Sequence, residues 1–126
     1  MAGITLDTGA LIGLERRERR MLARLSTWTD ANAIVTVPSV VVAEWWRGQR
    51  GPAARLLDAF TVEPTSSALA KVAGEALAEV RLGGGHTIDA IVMASAASRG
   101  DTIYTSDFDD LTLLASCFPS VRVLGV

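Results

Sequence analysis

Cysteine, histidine and lysine are almost missing from this sequence of 126 residues: each occurs once, as Cys117, His86 and Lys71. One cysteine excludes an internal disulfide and suits a reducing compartment. One cysteine and one histidine are too few soft ligands for a structural zinc site. Long apolar runs are missing as well. No segment approaches the roughly 20 apolar residues of a membrane helix. The short apolar start is interrupted by Asp7 and has neither the basic opening nor the cleavage-like stretch of a secretory leader. The expectation is a soluble, cytoplasmic protein. Repeats, linkers and low-complexity tracts are also lacking, and residues 1–126 are read as one domain.

Apolar residues, by contrast, make up 49% of the chain, enough for a sizeable core without staples. The net charge of −2 argues against a protein that coats nucleic acid by charge alone. Its distribution is uneven. Eleven of the 12 basic residues are arginine, and five of these lie between Arg16 and Arg24. Arg16, Arg20 and Arg24 follow an i, i+4, i+8 spacing, a stripe that can grip phosphates, dock an acidic partner or merely be solvated.

Hydrophobic patterning predicts strands at Gly3–Asp7, Ile34–Val37, Thr61–Glu63, Thr102–Thr105 and Val121–Leu124. Helices are predicted at Ala10–Glu15, Glu18–Trp28, Pro52–Phe60, from a cap at Ser67 to the Gly83–Gly85 cluster with Leu69, Val72, Ala73, Ala76 and Val80 on one face, and, capped by Thr87, from Ile88 to Ser98. Another begins at Ser106, with Asp109 three residues on as in a capping box. The run Val40–Trp46 fits a strand by composition, while Pro38, Ser39 and Gly48 around it favour a short helix. Strands alternating with helices predict a three-layer α/β/α domain with a mostly parallel central sheet.

Ligands of such sheets bind beyond the carboxyl ends of the strands. Asp7 ends the first predicted strand, Asp107 follows the fourth by two residues, and Asp89 falls in the first turn of a helix that returns to the same edge. Glu44 is a lone charge on an apolar segment and calls for a partner. Taken singly, Asp89, Asp107, Asp109 and Asp110 are also explicable as first-turn acids favoured by the helix dipole. Carboxylates gathered together resist ionising unless a cation joins them, and an all-oxygen set favours a hard ion such as Mg²⁺ or Mn²⁺. Such an ion supports in-line hydrolysis of a phosphodiester.

Asp7-Thr8-Gly9 also resembles the aspartic-protease motif, but that family is nearly all β with a Gly-rich flap. A wider resemblance spans the chain. Ile4-Thr5-Leu6-Asp7-Thr8-Gly9-Ala10-Leu11-Ile12, Pro38-Ser39-Val40-Val41-Val42-Ala43-Glu44, Thr87-Ile88-Asp89-Ala90-Ile91-Val92-Met93-Ala94-Ser95-Ala96 and Ile103-Tyr104-Thr105-Ser106-Asp107-Phe108-Asp109-Asp110-Leu111 resemble, in order, the four motifs of PIN-domain ribonucleases. That resemblance implies a PIN-like fold, one or two Mg²⁺ or Mn²⁺ ions, and endonucleolytic RNA cleavage. It implies Asp7, Glu44, Asp89 and Asp107 as the catalytic, metal-binding quartet, with Thr105 or Ser106 as a nearby hydroxyl and Asp110 as an accessory acid. Short stand-alone members resemble VapC toxins, which dimerise and are inhibited by a VapB-type antitoxin.

Arg47 and Arg50, just past Glu44, are candidate RNA contacts. Trp45 and Trp46 diverge on a helix, so one is expected in the core and the other at a surface. His86 is read as a helix-start residue. Two competing functions are a PIN nuclease of RNA maturation and a receiver-like Mg²⁺-binding signalling domain. The latter needs an acidic neighbour for Asp7 and a late lysine, and the sequence has neither.

Overall fold

The β-prone stretches assemble into one sheet in a computed structural model, which describes residues 2–126. Among these residues, β1 (Ile4–Leu6), β2 (Val35–Pro38), β3 (Thr61–Glu63), β4 (Thr102–Thr105) and β5 (Arg122–Gly125) lie in the order β3-β2-β1-β4-β5. Every pairing is parallel, so the sheet goes beyond the mostly parallel one expected. Parallel neighbours require crossovers, supplied here by α1 (Thr8–Glu15), α2 (Arg19–Asp30), α3 (Ser39–Trp45), α4 (Ser67–Glu79), α5 (Thr87–Arg99) and α6 (Phe108–Thr112). No helix among the described residues is long and apolar enough to cross a membrane.

Helices cover both faces, giving the expected three-layer α/β/α, PIN-like architecture. On one face Trp28 of α2 packs against Tyr104 of β4, with ring centroids 5.0 Å apart. On the other, α5 lies over β1, β2 and β4 and carries α4. The unbroken run Ala90–Ala96 in α5 is buried, as an all-round apolar helix must be. Gly100 ends that helix in the left-handed conformation (φ 72°), which glycine adopts without a Cβ penalty.

A polar network fixes α5 against the sheet. Arg99 donates from Nε to Asp101 (2.9 Å), from Nη2 to Thr5 (2.9 Å) and Ser95 (3.0 Å), and from Nη1 to Glu63. Thr5 in turn donates to Asp101 (2.8 Å), and Ser95 to Glu63 (2.6 Å). One guanidinium thereby joins β1, β3, α5 and the entry to β4.

Several local expectations are corrected. Of the two alternatives left open for Val40–Trp46, the helix is the one formed, through Trp45, since Pro38 takes an extended conformation (φ −61°, ψ 142°) and the helix starts at Ser39. The helix expected at Pro52–Phe60 is instead two single 3₁₀ turns, Gly51–Ala53 and Leu56–Ala59. A segment so short is a marginal helix alone, and half-buried Leu56, Leu57 and Phe60 set its path instead. Ser66, not Ser67, caps α4, accepting from the Leu69 amide (3.1 Å). Val72 lies off the buried face of α4, 46% exposed. Thr87 gives α5 no cap, because its hydroxyl turns back to the Gly84 carbonyl (2.9 Å). The Ser106–Asp109 capping box does not form: α6 starts at Phe108 behind Asp107. The arginine stripe is broken as well, since Arg16 caps α1 and Arg17 turns the chain at φ 56°.

Replacing Arg99 by leucine would strand Asp101, which is 4% exposed, without its cation. The expected cost is about 2–3 kcal/mol, under the roughly 3–5 kcal/mol of a fully buried pair, because 24% of the Arg99 side chain meets solvent. Urea unfolding of Arg99→Leu beside wild type measures it.

Candidate active site

Asp7, Asp89 and Asp107 come from three separate elements: the start of α1, the first turn of α5 and the start of α6. Each offers a carboxylate oxygen, and the three oxygens lie within 4.8 Å of one another. The β1–β4 register, Leu6 beside Tyr104, sets two of these elements side by side. The Asp7 amide continues the pairing by donating to the Tyr104 carbonyl (3.1 Å).

Asp7 is buried (2% exposed) and held by both oxygens. Oδ1 accepts from the Thr8 amide (2.8 Å) as the cap of α1, and Oδ2 accepts from the Thr105 hydroxyl (2.8 Å). Thr105 Oγ1 also accepts from the Asp107 amide (2.8 Å), so one buried hydroxyl orders two of the acids. Glu44 stands outside the three-acid group; it accepts from the Thr8 hydroxyl, one residue beyond Asp7. Among the other candidates, Ser106 is exposed at the mouth of the site and Asp110 joins Asp89 and His86 in an overlapping group. His86 occupies the cap position of α5, its Nδ1 3.3 Å from Asp89.

Arg47 and Arg50 are both exposed. Arg47 folds back so that Nη1 donates to the Ala43 (3.1 Å) and Trp46 (2.6 Å) carbonyls at the end of α3. Trp45 is buried and donates to Glu15 (3.1 Å), whereas Trp46 is 41% exposed, the division expected of helical neighbours. Gly9 owes its place to close approach. A Cβ there would overlap the Ser106 side chain and come within 2.9 Å of its amide nitrogen, forcing the α1 start away from the β4–α6 loop. The Asp-Thr-Gly sequence is thus a helix cap, a hydroxyl for Glu44 and a gap for Ser106. Sequence reasoning missed Thr8; its only signal was a hydroxyl beside a site acid.

The electrostatics follow from this crowding. Burial pushes the Asp7 carboxyl above its usual range, against the hydrogen bonds from Thr105 and Thr8, and the charges of Asp107 and Glu44 push the same way. Burial, then the charge of Asp7, raises Asp89 to about 6, with His86 opposing. Among the described residues, no arginine or lysine pairs with any of the four acids. The group therefore has oxygen ligands, excess negative charge and no arginine or lysine to offset it, which fits a hard divalent cation. A hollow of about 680 Å³ beside α4 and α5, with Glu63 and Phe118 also in its walls, contains none of these acids.

The PIN domain family model matches residues 4–113. No curated protein matches the sequence. Among solved structures, a chain of VapBC2 from Rickettsia felis, bound to a DNA fragment from its promoter, is similar at TM-score 0.73 and 15% identity, covering 98% of each chain. A chain of a toxin–antitoxin complex from Klebsiella pneumoniae is similar at TM-score 0.68 and 20% identity, covering 94% of this chain and 95% of that one. A chain of FitAB bound to a DNA fragment is similar at TM-score 0.63 and 19% identity, covering 97% and 94% respectively. At these identities the likeness is one of fold.

Two outcomes are expected. In metal-free protein, Asp89 binds its proton more tightly folded than unfolded, so its contribution favours folding at low pH. That contribution is lost as pH rises from its ordinary 3.8 through about 6. Chemical unfolding between pH 4 and 7 reads the loss, and saturating Mn²⁺ should restore stability at the upper end. Thr105→Val removes the hydroxyl that orders Asp7 and should weaken Mn²⁺ binding roughly 10–100-fold, the scale of losing a group that orients a metal ligand; isothermal titration measures it.

Proposed function

This chain belongs to the PIN-domain family, and on that premise we propose that it is a Mg²⁺- or Mn²⁺-dependent endoribonuclease, the toxin of a VapBC-type toxin–antitoxin pair. The observation that carries this reading is the convergence of Asp7, Asp89 and Asp107 with no arginine or lysine partner among the described residues. PIN domains are nucleases, and hydrolysis of a phosphodiester is the chemistry an all-carboxylate site serves best. The toxin assignment draws support from the similar chains, one of them from a toxin–antitoxin complex. A VapB-type antitoxin and a second copy of the chain are the partners this implies. One domain, residues 1–126, carries the whole activity.

Asp7, Asp89 and Asp107 would hold the ion, with Glu44 beside them through Thr8. The ion would supply charge neutralisation at the phosphodiester and an activated water for in-line attack. The chain's own share is positional. Thr105 and the Thr8 amide fix the Asp7 carboxylate before any ligand arrives, so no ordering is left to the moment of reaction. Glu44, exposed and tethered at one oxygen, can orient an incoming water or share the ion.

Incubation of single-stranded RNA with the protein and Mg²⁺ or Mn²⁺ should give internal cuts that chelator abolishes. Asp7→Asn and Asp89→Asn, each with wild-type circular dichroism, should lose about 10²–10³-fold in rate, the scale of losing a key charge-stabilising group. Undiminished cleavage by both variants would refute the assignment.

A further inference from the structure

Three arginines meet in a cleft that the carboxylate site does not use. The cleft, about 500 Å³, lies between α2 and the β4–β5 edge of the sheet, and Arg20, Arg24, Arg122, Trp28, Tyr104 and Leu124 are among its walls. Arg20 and Arg24 are one turn apart on α2, and Arg122 faces them from β5. The ion pairs among the described residues use only His86 and Arg99 as cations, so these three guanidinium groups have no carboxylate partner. Three like charges kept together in an acidic protein call for an anion.

We propose that this cleft holds the sugar–phosphate backbone of a single-stranded RNA and leads it to the carboxylate site. The inference rests on the nuclease reading and names the surface that presents its substrate.

Continuity with the site favours RNA over an acidic polypeptide. Tyr104 lines the cleft near the carboxyl end of β4, and the next residue, Thr105, turns to the opposite face of the sheet and donates to Asp7 at that same end. Arg24 lies over the Tyr104 ring, 4.8 Å from its centroid, and reaches toward the Gly125 carbonyl (3.5 Å). The neighbouring Val126 amide donates to the Thr105 carbonyl (2.8 Å). Arg24 thus stands near the carboxyl end of β4 and β5, the end that carries the acids. Arg122, in register with Thr102, marks the other end of the same strands, so the cleft runs along them toward the acids. A polyanion brought to Asp7, Asp89 and Asp107 is repelled by them, and a cationic track beside them offsets that repulsion. Guanidinium forks match phosphate oxygens. Base stacking has no platform here, because Trp28 is buried (3% exposed) and Arg24 covers Tyr104. Binding should therefore read the backbone, follow salt and ignore sequence.

Arg20 and Arg122 are exposed, so they can be changed without disturbing packing; Arg24 packs on Tyr104 and is left alone. In the full-length Asp7→Asn protein, anisotropy of a labelled single-stranded RNA is followed against salt, with and without Arg20→Ser plus Arg122→Ser. Affinity at low salt should fall about tenfold or more. The slope of log K against log salt should flatten by about 1.4, two phosphate contacts' worth. In the cleavage-competent background the same pair should raise KM. Unchanged affinity and slope, while wild type still cleaves RNA, overturns the cleft assignment and leaves the nuclease reading standing. Retained RNA binding with loss of polyglutamate binding overturns it in favour of an acidic polypeptide. Failure of wild type to cleave RNA with either ion removes the nuclease reading itself.

Discussion

The position of α5 is the constraint on which the site depends, and Arg99 sets it. Four of the seven residues buried in that helix are small (Ala90, Ala94, Ser95, Ala96), and apolar packing is non-directional. Directional hydrogen bonds resist axial sliding well. Arg99 anchors the end of the helix to Thr5, Glu63 and Asp101. Asp89 lies ten residues earlier, about 15 Å along the axis. Thr5 is also two residues before Asp7 on β1. A single guanidinium therefore refers both acids to the same strand, one through the sheet and the other along the helix.

What that frame holds together is unfavourable in itself. Burial raises the proton affinity of Asp7 and of Asp89, and the neighbouring acids add to it. The fold answers with two hydrogen bonds to Asp7 and with the start of α1, whose dipole favours an anion there. These offsets are partial, and the remaining strain is what makes a divalent ion welcome. Stability given up at the strand ends is recovered in the core, where Leu6, Leu11, Met93, Ile103 and Leu111 are fully buried.

Much of this was legible in the sequence because it was local. Asp7 at a strand end, Asp89 in a first turn and Asp107 just after a strand are periodicity readings, and parallel topology sends all three to one edge. Features that failed to show were those made between distant segments. Arg99 and Glu63 are 36 residues apart and Arg99 and Thr5 are 94 apart, and alone they read only as the residue after a helix and as members of two separate strands. Ser106 looked like a cap, but its side chain packs against Gly9, so α6 starts two residues later. The arginine stripe looked continuous because spacing carries no sign of the backbone reversal at Arg17. Only Arg20 and Arg24 stay in register, and their third partner, Arg122, comes from the far end of the chain.

The separation of charge bears on how an acidic protein can handle a polyanion at all. A net charge of −2 says little at contact range, because fields decay over about 10 Å at 0.1 M salt. Strand residues advance about 3.3 Å each, so Tyr104 under Arg24 is close enough to Thr105 and Asp7 for the two fields to overlap. The acids then weaken the cleft's attraction for phosphate while they remain uncompensated. A cation held among them removes that penalty, and a polyanion held in the cleft favours the cation in turn. Binding of the two would be mutually reinforcing, a linkage that needs no conformational change and follows from the placement of charges along two adjacent strands.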